Sequence, residues 1–439
     1  MSGIVYNPYP MYTESGVDWL GEIPAHWEVQ RLKHLGSMQA GSAITSEQIE
    51  PIGDYPVFGG NGIRGFSDGY THDGSFPLIG RQGALCGCVT LAFGRFWASE
   101  HAIVFRPRMQ ADPNWMAAVL LAMDLNQYSV SAAQPGLAVD NIGVLQAAVP
   151  TIAEQHAIIA FLDRETARID ALVAKKERLI ALLQERRTAL ITRAVTKGLD
   201  PAVPMKDSSV KWMGDIPAHW DVTRLRRELN WIEQGWSPEC ENRVAEENEW
   251  GVLKAGCVNR GEFIESEHKA LPASHSAIPD LEIREGDLLM SRASGSRELV
   301  GSVAVVPACR SRLLLCDKIF RLHVNEVRVN TNFVAYALSS RMARSQIEGV
   351  LSGGSGLANN IAQGVVKDLT LALPPRMEQQ LIANFLDAIT ASVNSQIGRI
   401  REAITGLYEL RAALISAAVT GKIDVRDQYV TPDASDAAG

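Results

Sequence analysis

Two stretches of this chain share one plan: residues 14–32 read ESGVDWLGEIPAHWEVQRL, and residues 207–225 read DSSVKWMGDIPAHWDVTRL. Twelve of these nineteen positions are identical at a constant offset of 193 residues. An internal repeat reports the architecture of a chain more directly than local propensity does. The sequence therefore predicts a fold that is built from two copies of one structural frame.

A second repeated element follows later in each copy. Residues 154–167 (EQHAIIAFLDRETA) match residues 378–391 (EQQLIANFLDAITA) at an offset of 224, and the match resumes at residues 187–196 and 411–420. The offset grows by 31 residues between the two repeated elements. The added residues therefore lie in the segments between those elements.

These middle segments, residues 33–150 and 226–372, share little sequence with each other. Each alternates short strand-like runs, rich in aromatic and β-branched residues, with glycine-rich turns. A short buried helix is predicted at residues 115–125 and a longer helix at residues 331–348. Each middle segment is thus predicted to be a mixed α/β domain. A repeated frame with two different contents is typical of a scaffold that presents two recognition modules.

The repeated segment at residues 154–196 is predicted to form one long helix, because it lacks proline and glycine and is rich in Ala, Leu, Arg and Glu. At about 1.5 Å per residue, this helix would extend roughly 65 Å. Apolar residues recur at heptad positions a and d in one register for both copies, which predicts that the two helices pair as a coiled coil. The direction of the chain suggests that the pair is antiparallel, with one middle segment at each end. Two independent surface helices are the alternative. The predicted seam and partner interface consists of Leu162, Ile169, Leu172, Leu179, Leu183, Leu190, Leu386, Ile389, Val393, Ile400, Leu407, Leu410 and Leu414.

Polar side chains in the middle segments, most of them on glycine-rich loops, are candidates for contact with DNA. Arg suits the guanine edge, Asn and Gln suit adenine, and Ser suits phosphate. The alternative for each is an ordinary surface residue of a globular domain. The candidates are Asn61, Arg64, Arg81, Gln82, Lys254, Ser291, Arg292, Ser294, Ser296 and Arg297.

The composition limits the class of protein. A chain of 439 residues exceeds the size of one growing core, and 46% hydrophobic and 21% charged residues are typical of a soluble globular protein. The longest apolar run, residues 115–123, is too short to span a bilayer, and no secretory signal is seen. The six cysteines lack metal spacing and are predicted to be free thiols. The net charge of −8 does not favour nucleic acid, although an acidic chain can contain a local basic cleft.

No catalytic constellation stands out. The string nearest to a methyltransferase motif, residues 7–10 (NPYP), is scrambled and is expected to lie in a flexible terminus. A phosphate-binding P-loop is missing, and the acidic string at residues 279–284 lacks the acidic-x-Lys pair of nucleases. His26 and His219, in the repeated Pro-Ala-His-Trp string, are interpreted as packed and hydrogen-bonded residues.

The whole plan resembles the specificity subunits of Type I restriction–modification systems over about residues 14–425. The resemblance rests on Trp-x-Gly-x-Ile-Pro-x-His-Trp at 19–27 and 212–220, on Glu-Gln-x-x-Ile-x-x-Phe-Leu-Asp at 154–163 and 378–387, and on Leu-Ile-x-x-Ala-Val-Thr at 190–196 and 414–420. The strings at residues 55–57 (YPV) and 286–289 (GDLL) also look like target-recognition domains of that family.

The resemblance implies an α+β protein with a pseudo-twofold internal repeat, in which a pair of long antiparallel coiled-coil helices separates two mixed α/β target-recognition domains. The implied boundaries are 1–150 and 206–372 for the two target-recognition domains, 151–205 and 373–425 for the helical regions, and 426–439 for a disordered tail.

The resemblance also implies a non-catalytic role. Each target-recognition domain would read one half of a gapped site on double-stranded DNA. The helices would set the gap and bind two methyltransferase subunits and, through them, the restriction (translocase) subunits. S-adenosylmethionine, ATP and Mg²⁺ are expected on those partners and none of them on this chain. The expected location is the bacterial or archaeal cytoplasm, in association with DNA.

Three other interpretations stay open at this stage. A stand-alone DNA-binding regulator would bind DNA tightly without partners, and the acidic net charge argues against it. A structural protein that oligomerises through the coiled coil would not explain two dissimilar middle segments on one frame. An enzyme with an unrecognised site is the third.

Overall fold

The computed structural model describes residues 7–83, 85–129, 136–259, 261–353 and 359–426. The chain divides into two compact units by its contacts. They are unit 1 (Met1–Glu177 and Arg401–Gly439) and unit 2 (Arg178–Ile400). The boundaries predicted above follow the sequence repeat and not these contacts, and they stay a prediction. The predicted disordered tail lies, from residue 427 on, outside the described residues.

Unit 1 begins with small antiparallel sheets and short helices. Its strands are β1 (Tyr12–Glu14), β2 (Glu22–Pro24), β3 (Glu28–Arg31), β4 (Gly36–Ala40), β5 (Tyr55–Gly59), β6 (Gly62–Ser67), β7 (His72–Asp73), β8 (Phe76–Gly80), β9 (Val89–Ala92), β10 (Arg95–Ala98), β11 (Ala102–Pro107) and β12 (Gln146–Val149). Its short helices are α1 (Leu32–Leu35), α2 (Pro113–Ala122) and α3 (Val139–Gly143).

A long helix, α4 (Ile152–Lys197), leads into unit 2, and a second long helix, α8 (Arg376–Val419), leads back to unit 1. The strands between them are β13 (Met205–Asp207), β14 (Asp215–Pro217), β15 (Asp221–Arg224), β16 (Leu229–Gln234), β17 (Gly251–Leu253), β18 (Val258–Asn259), β19 (Glu262–Phe263), β20 (His268–Ala270), β21 (Leu288–Ser291), β22 (Val303–Val305), β23 (Leu313–Leu314), β24 (Ile319–Val324) and β25 (Thr370–Leu373). The helices there are α5 (Thr331–Ser339), α6 (Arg341–Gly353) and α7 (Gln363–Asp368).

The two units repeat the same strand pairings. In unit 1 the main sheet has the order β4-β11-β8-β9, and in unit 2 it has the order β16-β24-β21-β22. Each unit adds a second sheet with one parallel pair, β5 with β10 in unit 1 and β17 with β23 in unit 2. The repeated frame itself contributes β3 paired with β12 in unit 1 and β15 paired with β25 in unit 2. The structure therefore confirms the internal repeat.

The long helices are confirmed, and the predicted limits of 154–196 differ from those of α4 by two residues at the start and one at the end. Unit 1 holds the start of α4 and the end of α8, whereas unit 2 holds the end of α4 and the start of α8. The two helices therefore run in opposite directions, as predicted. Within unit 1, Arg411 pairs with Asp170 at 3.6 Å. Within unit 2, the Arg187 guanidinium donates to Asn394 Oδ1 at 2.7 Å. At the repeat offset of 224, Arg187 corresponds to Arg411 and Asn394 corresponds to Asp170, so the two units make equivalent contacts with the helices exchanged.

Most of the predicted seam residues are buried or half-buried. Those that are buried are Leu162, Ile169, Leu386, Val393 and Leu414, and those that are half-buried are Leu183, Leu190, Ile389, Ile400 and Leu407. All but Ile389 occupy heptad position a. The second row of the seam is formed by position e, where Val173, Ala194, Ile397 and Ala418 are buried.

The predicted use of position d in the seam is wrong for Leu172, Leu179 and Leu410, whose exposed fractions are 41%, 46% and 47%. The e positions that replace them include Arg187 and Arg411. A search for apolar residues overlooks a seam position that is occupied by arginine. The long side chain buries its aliphatic part in the seam while its guanidinium contacts a polar partner. A role of the three leucines at a partner interface stays a prediction.

Two further expectations are corrected. The segment at residues 7–10 is held in place, because Tyr9 is 3% exposed and the backbone carbonyl of Asn7 accepts from Asp424 N at 2.8 Å. The helix expected at 331–348 is two helices that meet at the buried, extended Ser340. The Ser340 hydroxyl donates to the carbonyl of Ala337 and accepts from the backbone of Ala343, so it ends one helix and caps the next.

Each unit has its own large core around its end of the helix pair. In unit 1, Trp115 and Phe105 are buried together with Phe161 of α4 and Val419 of α8. In unit 2, the corresponding core contains Phe320, Phe333 and Trp220 beside residues of both helices. Within the part of the chain that the structure describes, no helix is both long enough and apolar enough to cross a membrane.

Candidate nucleic-acid interface

In unit 1, glycines bring two of the candidate loops together. A side chain at Gly80, where β8 ends, would lie 2.2 Å from the carbonyl oxygen of Gly60, so the close approach of the two loops requires glycine there. The structure thus brings the β5–β6 turn, which contains Asn61 and is followed by Arg64 on β6, next to the segment that contains Arg81 and Gln82. Asn61, Arg64 and Gln82 are exposed and Arg81 is half-buried.

In unit 2, the candidate loop follows β21. Ser296 and Arg297 are exposed and Ser294 is half-buried, whereas Ser291 is fully buried. The Ser291 side chain therefore reaches DNA only if the loop rearranges. Arg292 is half-buried, and its guanidinium donates to the carbonyl of Asp317 at 3.1 Å.

Arg81 and Arg292 occupy equivalent positions in the two units. The backbone N–H of Arg81 donates to the carbonyl of His101 at 2.9 Å, and that of Arg292 donates to Lys318 at 2.8 Å. The carbonyl of Arg81 accepts from Leu137 N at 2.9 Å. The carbonyl of Arg292 accepts in the same way from Ile361 N at 3.0 Å. Each arginine thus follows the same strand of its main sheet and is held by the same two backbone contacts.

Lys254 is not brought to the loop that contains Arg292. It follows β17 and its ammonium lies 3.5 Å from a carboxylate oxygen of Glu267. A nearby carboxylate competes with phosphate for the ammonium group, so this geometry favours Lys254 least among the candidates. Contact with DNA stays a prediction for every residue of the set.

The carboxylate of Asp317, whose backbone carbonyl accepts from Arg292, is kept ionised. Burial opposes the ionisation of Asp317, but hydrogen bonds from Ser237 and Lys318 outweigh it and hold the pKa of Asp317 below its usual value. The charge on Arg292 contributes in the same direction. The loop therefore combines an arginine with a fixed negative charge, which orients the guanidinium before any ligand arrives.

The repeated histidine and the repeated glutamate are hydrogen-bonded to each other in both units. His26 Nε2 lies 2.8 Å from Glu154 Oε1 in unit 1, and His219 Nε2 lies 2.7 Å from Glu378 Oε2 in unit 2. The prediction that both histidines are hydrogen-bonded is confirmed, but both lie exposed at the surface and are not buried. Burial opposes the ionisation of Glu154, but hydrogen bonds from His26, Thr151 and Trp27 outweigh it and hold its pKa below the usual value.

The neighbouring glutamines attach each middle segment to its long helix. Buried Gln155 accepts from Asp112 N at 2.8 Å and donates to the carbonyls of Gln110 and Pro150. Asp112 in turn caps the start of α2. Because α2 packs on the main sheet of unit 1, the glutamine couples the orientation of that sheet to α4.

Buried Gln379 makes the same set of contacts in unit 2. It accepts from Asn330 N at 2.8 Å and donates to the carbonyls of Arg328 and Pro374. Asn330 caps the start of α5. The Glu-Gln pair that the sequence repeats is therefore the joint between frame and middle segment in both units.

The thiols have the properties of structural residues. All six cysteines are free, as predicted, and burial raises the pKa of Cys316 to about 12 and that of Cys257 further. A protonated thiol is a poor nucleophile and a poor metal ligand. Across the described residues, no group of His, Cys, Asp and Glu is placed to hold a metal ion.

Sequence reasoning missed the segments that hold the two arginines. Leu137 and Ile361 supply the backbone N–H groups, and bridges join Gln82 to Gly136 in unit 1 and Ala293 to Asn360 in unit 2. The sequence offers a Gly-Leu-Ala string at residues 136–138 and again at 356–358, which marks both segments but aligns Leu137 with Leu357, four residues before Ile361. The second copy lies outside the described residues.

Comparison with known proteins gives a consistent result. Residues 24–181 match the family model of the Type I restriction modification DNA specificity domain. The Type I restriction enzyme EcoprrI specificity subunit of Escherichia coli is 45% identical over 137 residues, which are 30% of this chain and 34% of the relative. The Type I restriction enzyme EcoEI specificity subunit, also of Escherichia coli, is 27% identical over 242 residues, which are 55% of this chain and 40% of the relative. The chain thus spans 34% and 40% of the length of these curated relatives.

A solved structure agrees at the level of the fold. A chain from a study of complex assembly and conformational transition of the type I R-M system aligns with a TM-score of 0.60 and 17% identity, covering 91% of this chain and 99% of that chain. Likeness at this identity shows the fold alone. In its twice-repeated frame, in its family match over residues 24–181 and in its curated relatives, the chain is similar to the specificity subunits of Type I restriction–modification systems.

Proposed function

We propose that this chain selects the DNA sequence on which a Type I restriction–modification complex acts, and that each unit reads one half of a bipartite, gapped site. The observation that supports this most strongly is the equivalence of Arg81 and Arg292, which follow the same strand and have the same backbone contacts in the two units. Two equivalent positions surrounded by unrelated sequence suit two different half-sites.

The chemistry of the loops supports recognition of base edges. An arginine guanidinium donates two hydrogen bonds to guanine O6 and N7, and glutamine or asparagine amides pair with adenine in the major groove. In unit 1, Gln82 follows Arg81, and the turn with Asn61 and the start of β6 with Arg64 belong to the neighbouring loop. In unit 2, Ser294, Ser296 and Arg297 follow Arg292. We propose that the arginines read bases and that the hydroxyl groups contact phosphate.

We propose that α4 and α8 set the gap between half-sites and bind two methyltransferase subunits and, through them, the restriction subunits. Large apolar side chains are exposed on both helices, which supports a docking role, because exposed apolar clusters are typical of interaction surfaces. They include Leu172, Leu179 and Leu182 on α4 and Met377, Leu381, Phe385 and Leu410 on α8.

We further propose that this chain performs no catalysis. Its partners would supply S-adenosylmethionine, ATP and Mg²⁺, and the complex would act on DNA in the cytoplasm. The high thiol pKa values and the pairing of both repeated histidines with glutamate support a recognition role over a chemical one.

The test is to express the chain with the methyltransferase encoded beside it and to sequence the host DNA for methylated adenines. We expect a split motif with a fixed gap that appears only when both proteins are present. Exchanging residues 33–150 for those of another specificity subunit should change one half of the motif. A contiguous motif, or a change in both halves, would contradict the proposal.

A further inference from the structure

Five exposed basic side chains lie on two neighbouring segments of unit 1, residues 31–34 and 106–108. Arg31 ends β3, Lys33 and His34 lie on α1, and Arg106 and Arg108 lie at the end of β11. We call these five residues the basic face. Arg108 N donates to the carbonyl of Leu35 at 2.8 Å, and the Arg108 guanidinium donates to that of His34 at 3.2 Å, so the two segments are fixed together.

The basic face borders a cleft of about 600 Å³. Arg31, His34 and Arg108 line the cleft together with three glutamines and Val29. No carboxylate lines it, and none of Arg31, Lys33, Arg106 and Arg108 forms an ion pair with another described residue. The side chains offer several N–H donors and positive charge, which is the chemistry that holds phosphate oxygens.

Unit 2 has the same arrangement with its charge neutralised. Arg224 and Arg226 correspond to Arg31 and Lys33 at the repeat offset of 193. Both pair with Asp368, and the distance from Arg224 is 3.6 Å. The residue equivalent to Asp368 in unit 1 is Val144, which is 54% exposed.

The backbone establishes that equivalence independently of side chains. Leu32 N donates to the carbonyl of Leu145 at 2.8 Å, and Leu225 N donates to that of Leu369 at 2.8 Å. Val144 and Asp368 each precede the accepting residue by one position. One residue therefore decides whether the frame of each unit presents free or neutralised cations.

We propose that the basic face of unit 1 binds backbone phosphates of the DNA, and that the corresponding surface of unit 2 does not. This inference rests on the proposed function. The net charge of −8 makes an uncompensated basic cluster the more significant, because a local field and not the global charge attracts a polyanion. A cleft rich in N–H donors and free of carboxylates suits an anionic ligand. Because the proposed function makes DNA the polyanion that this chain meets, backbone phosphate is the ligand we assign.

The test compares Val144→Asp with Val144→Asn in the complex that co-purifies with the methyltransferase. The aspartate supplies unit 1 with the carboxylate that unit 2 already has, and the asparagine is a matched neutral control at the same exposed position. Binding is measured across salt concentrations to a 30-base-pair duplex with the mapped motif and to a shuffled duplex. Double substitution of Arg31 and Arg108 by Gln provides a second variant that removes the cations directly.

The binding constant falls with salt, and each phosphate contact that is lost makes the slope of log K against log salt shallower by about 0.9. Val144→Asp should therefore bind both duplexes about 5–10-fold more weakly and with a shallower slope. Val144→Asn should bind as the unchanged chain does. Unchanged DNA binding by both Val144→Asp and the double variant would overturn the inference. Weakened assembly with the methyltransferase, together with normal DNA binding, would also overturn it and would assign the basic face to an acidic protein partner. Failure of the unchanged complex to prefer the motif duplex would instead refute the proposed function.

Discussion

Replacing Gln155 by alanine tests whether the repeated Glu-Gln pair joins frame and middle segment. The change leaves the buried N–H of Asp112 and the carbonyls of Pro150 and Gln110 without their side-chain partner. Each buried polar group that loses its partner costs about 1–3 kcal/mol. Because Gln110 is an exposed residue, we assign the cost to the other two groups. The free energy of unfolding should fall by about 2–6 kcal/mol, a large part of the roughly 5–15 kcal/mol that is typical of a folded domain.

The assay is urea unfolding of the full chain, combined with amide hydrogen exchange on peptides that cover residues 110–122. Exchange should accelerate there, because Asp112 caps α2. Gln379→Ala is the matched control, since it removes the same three contacts in unit 2 and should accelerate exchange at residues 328–339 instead. A loss below about 1 kcal/mol for Gln155→Ala, or equal acceleration in both peptides, would refute the assignment of the glutamines as local joints.

Other consequences concern the same frame. Because the pKa of Glu154 is lower in the folded chain than the ordinary value of 4.5, its ionisation stabilises the fold above that pH and the contribution is lost as the pH falls through the folded value. Glu154→Gln should therefore weaken the dependence of urea midpoints on pH below 4.5, and an unchanged dependence would contradict this. Gly421→Ala should lower the free energy of unfolding in urea by about 2 kcal/mol or more, because φ is +71° and the new Cβ would lie 2.3 Å from Pro24. Gly214→Ala is the matched control. Its φ is +66° but the space around it is open, so it should lower the free energy of unfolding by only about 1 kcal/mol. Leu407→Asp should destabilise unit 1 by about 2–4 kcal/mol and impair assembly with the methyltransferase, measured by light scattering. Leu410→Asp, at an exposed position, should change the stability by no more than about 0.5 kcal/mol. Equal destabilisation by the two changes would argue against a seam formed by positions a and e.

The repeat and the long helices could be predicted from the sequence, because both are periodic signals that need no knowledge of tertiary contacts. Position d looked apolar at Leu172, Leu179 and Leu410, but the seam uses position e, where Arg187 and Arg411 find polar partners on the opposite helix. The choice between the two positions depends on helix rotation, which only packing determines.

The candidate loops were recognised from glycine and polar residues, but their arrangement was not. That Arg81 and Arg292 are equivalent follows from contacts of Leu137 and Ile361 far along the chain. The basic face was missed for the same reason. Its members are spread over residues 31–108, and its significance depends on the absence of a carboxylate at Val144, which a search for motifs does not detect.

Half-site readout by the two equivalent arginines is the most direct test of the central claim. Arg81→Ala and Arg292→Ala complexes would be used to select binding sites from a DNA pool in which both halves of the mapped motif are randomised. The account predicts that Arg81→Ala relaxes base preference in one half only and that Arg292→Ala relaxes it in the other half only. Relaxation of both halves by either change, or of the same half by both, would contradict the assignment of one half-site to each unit.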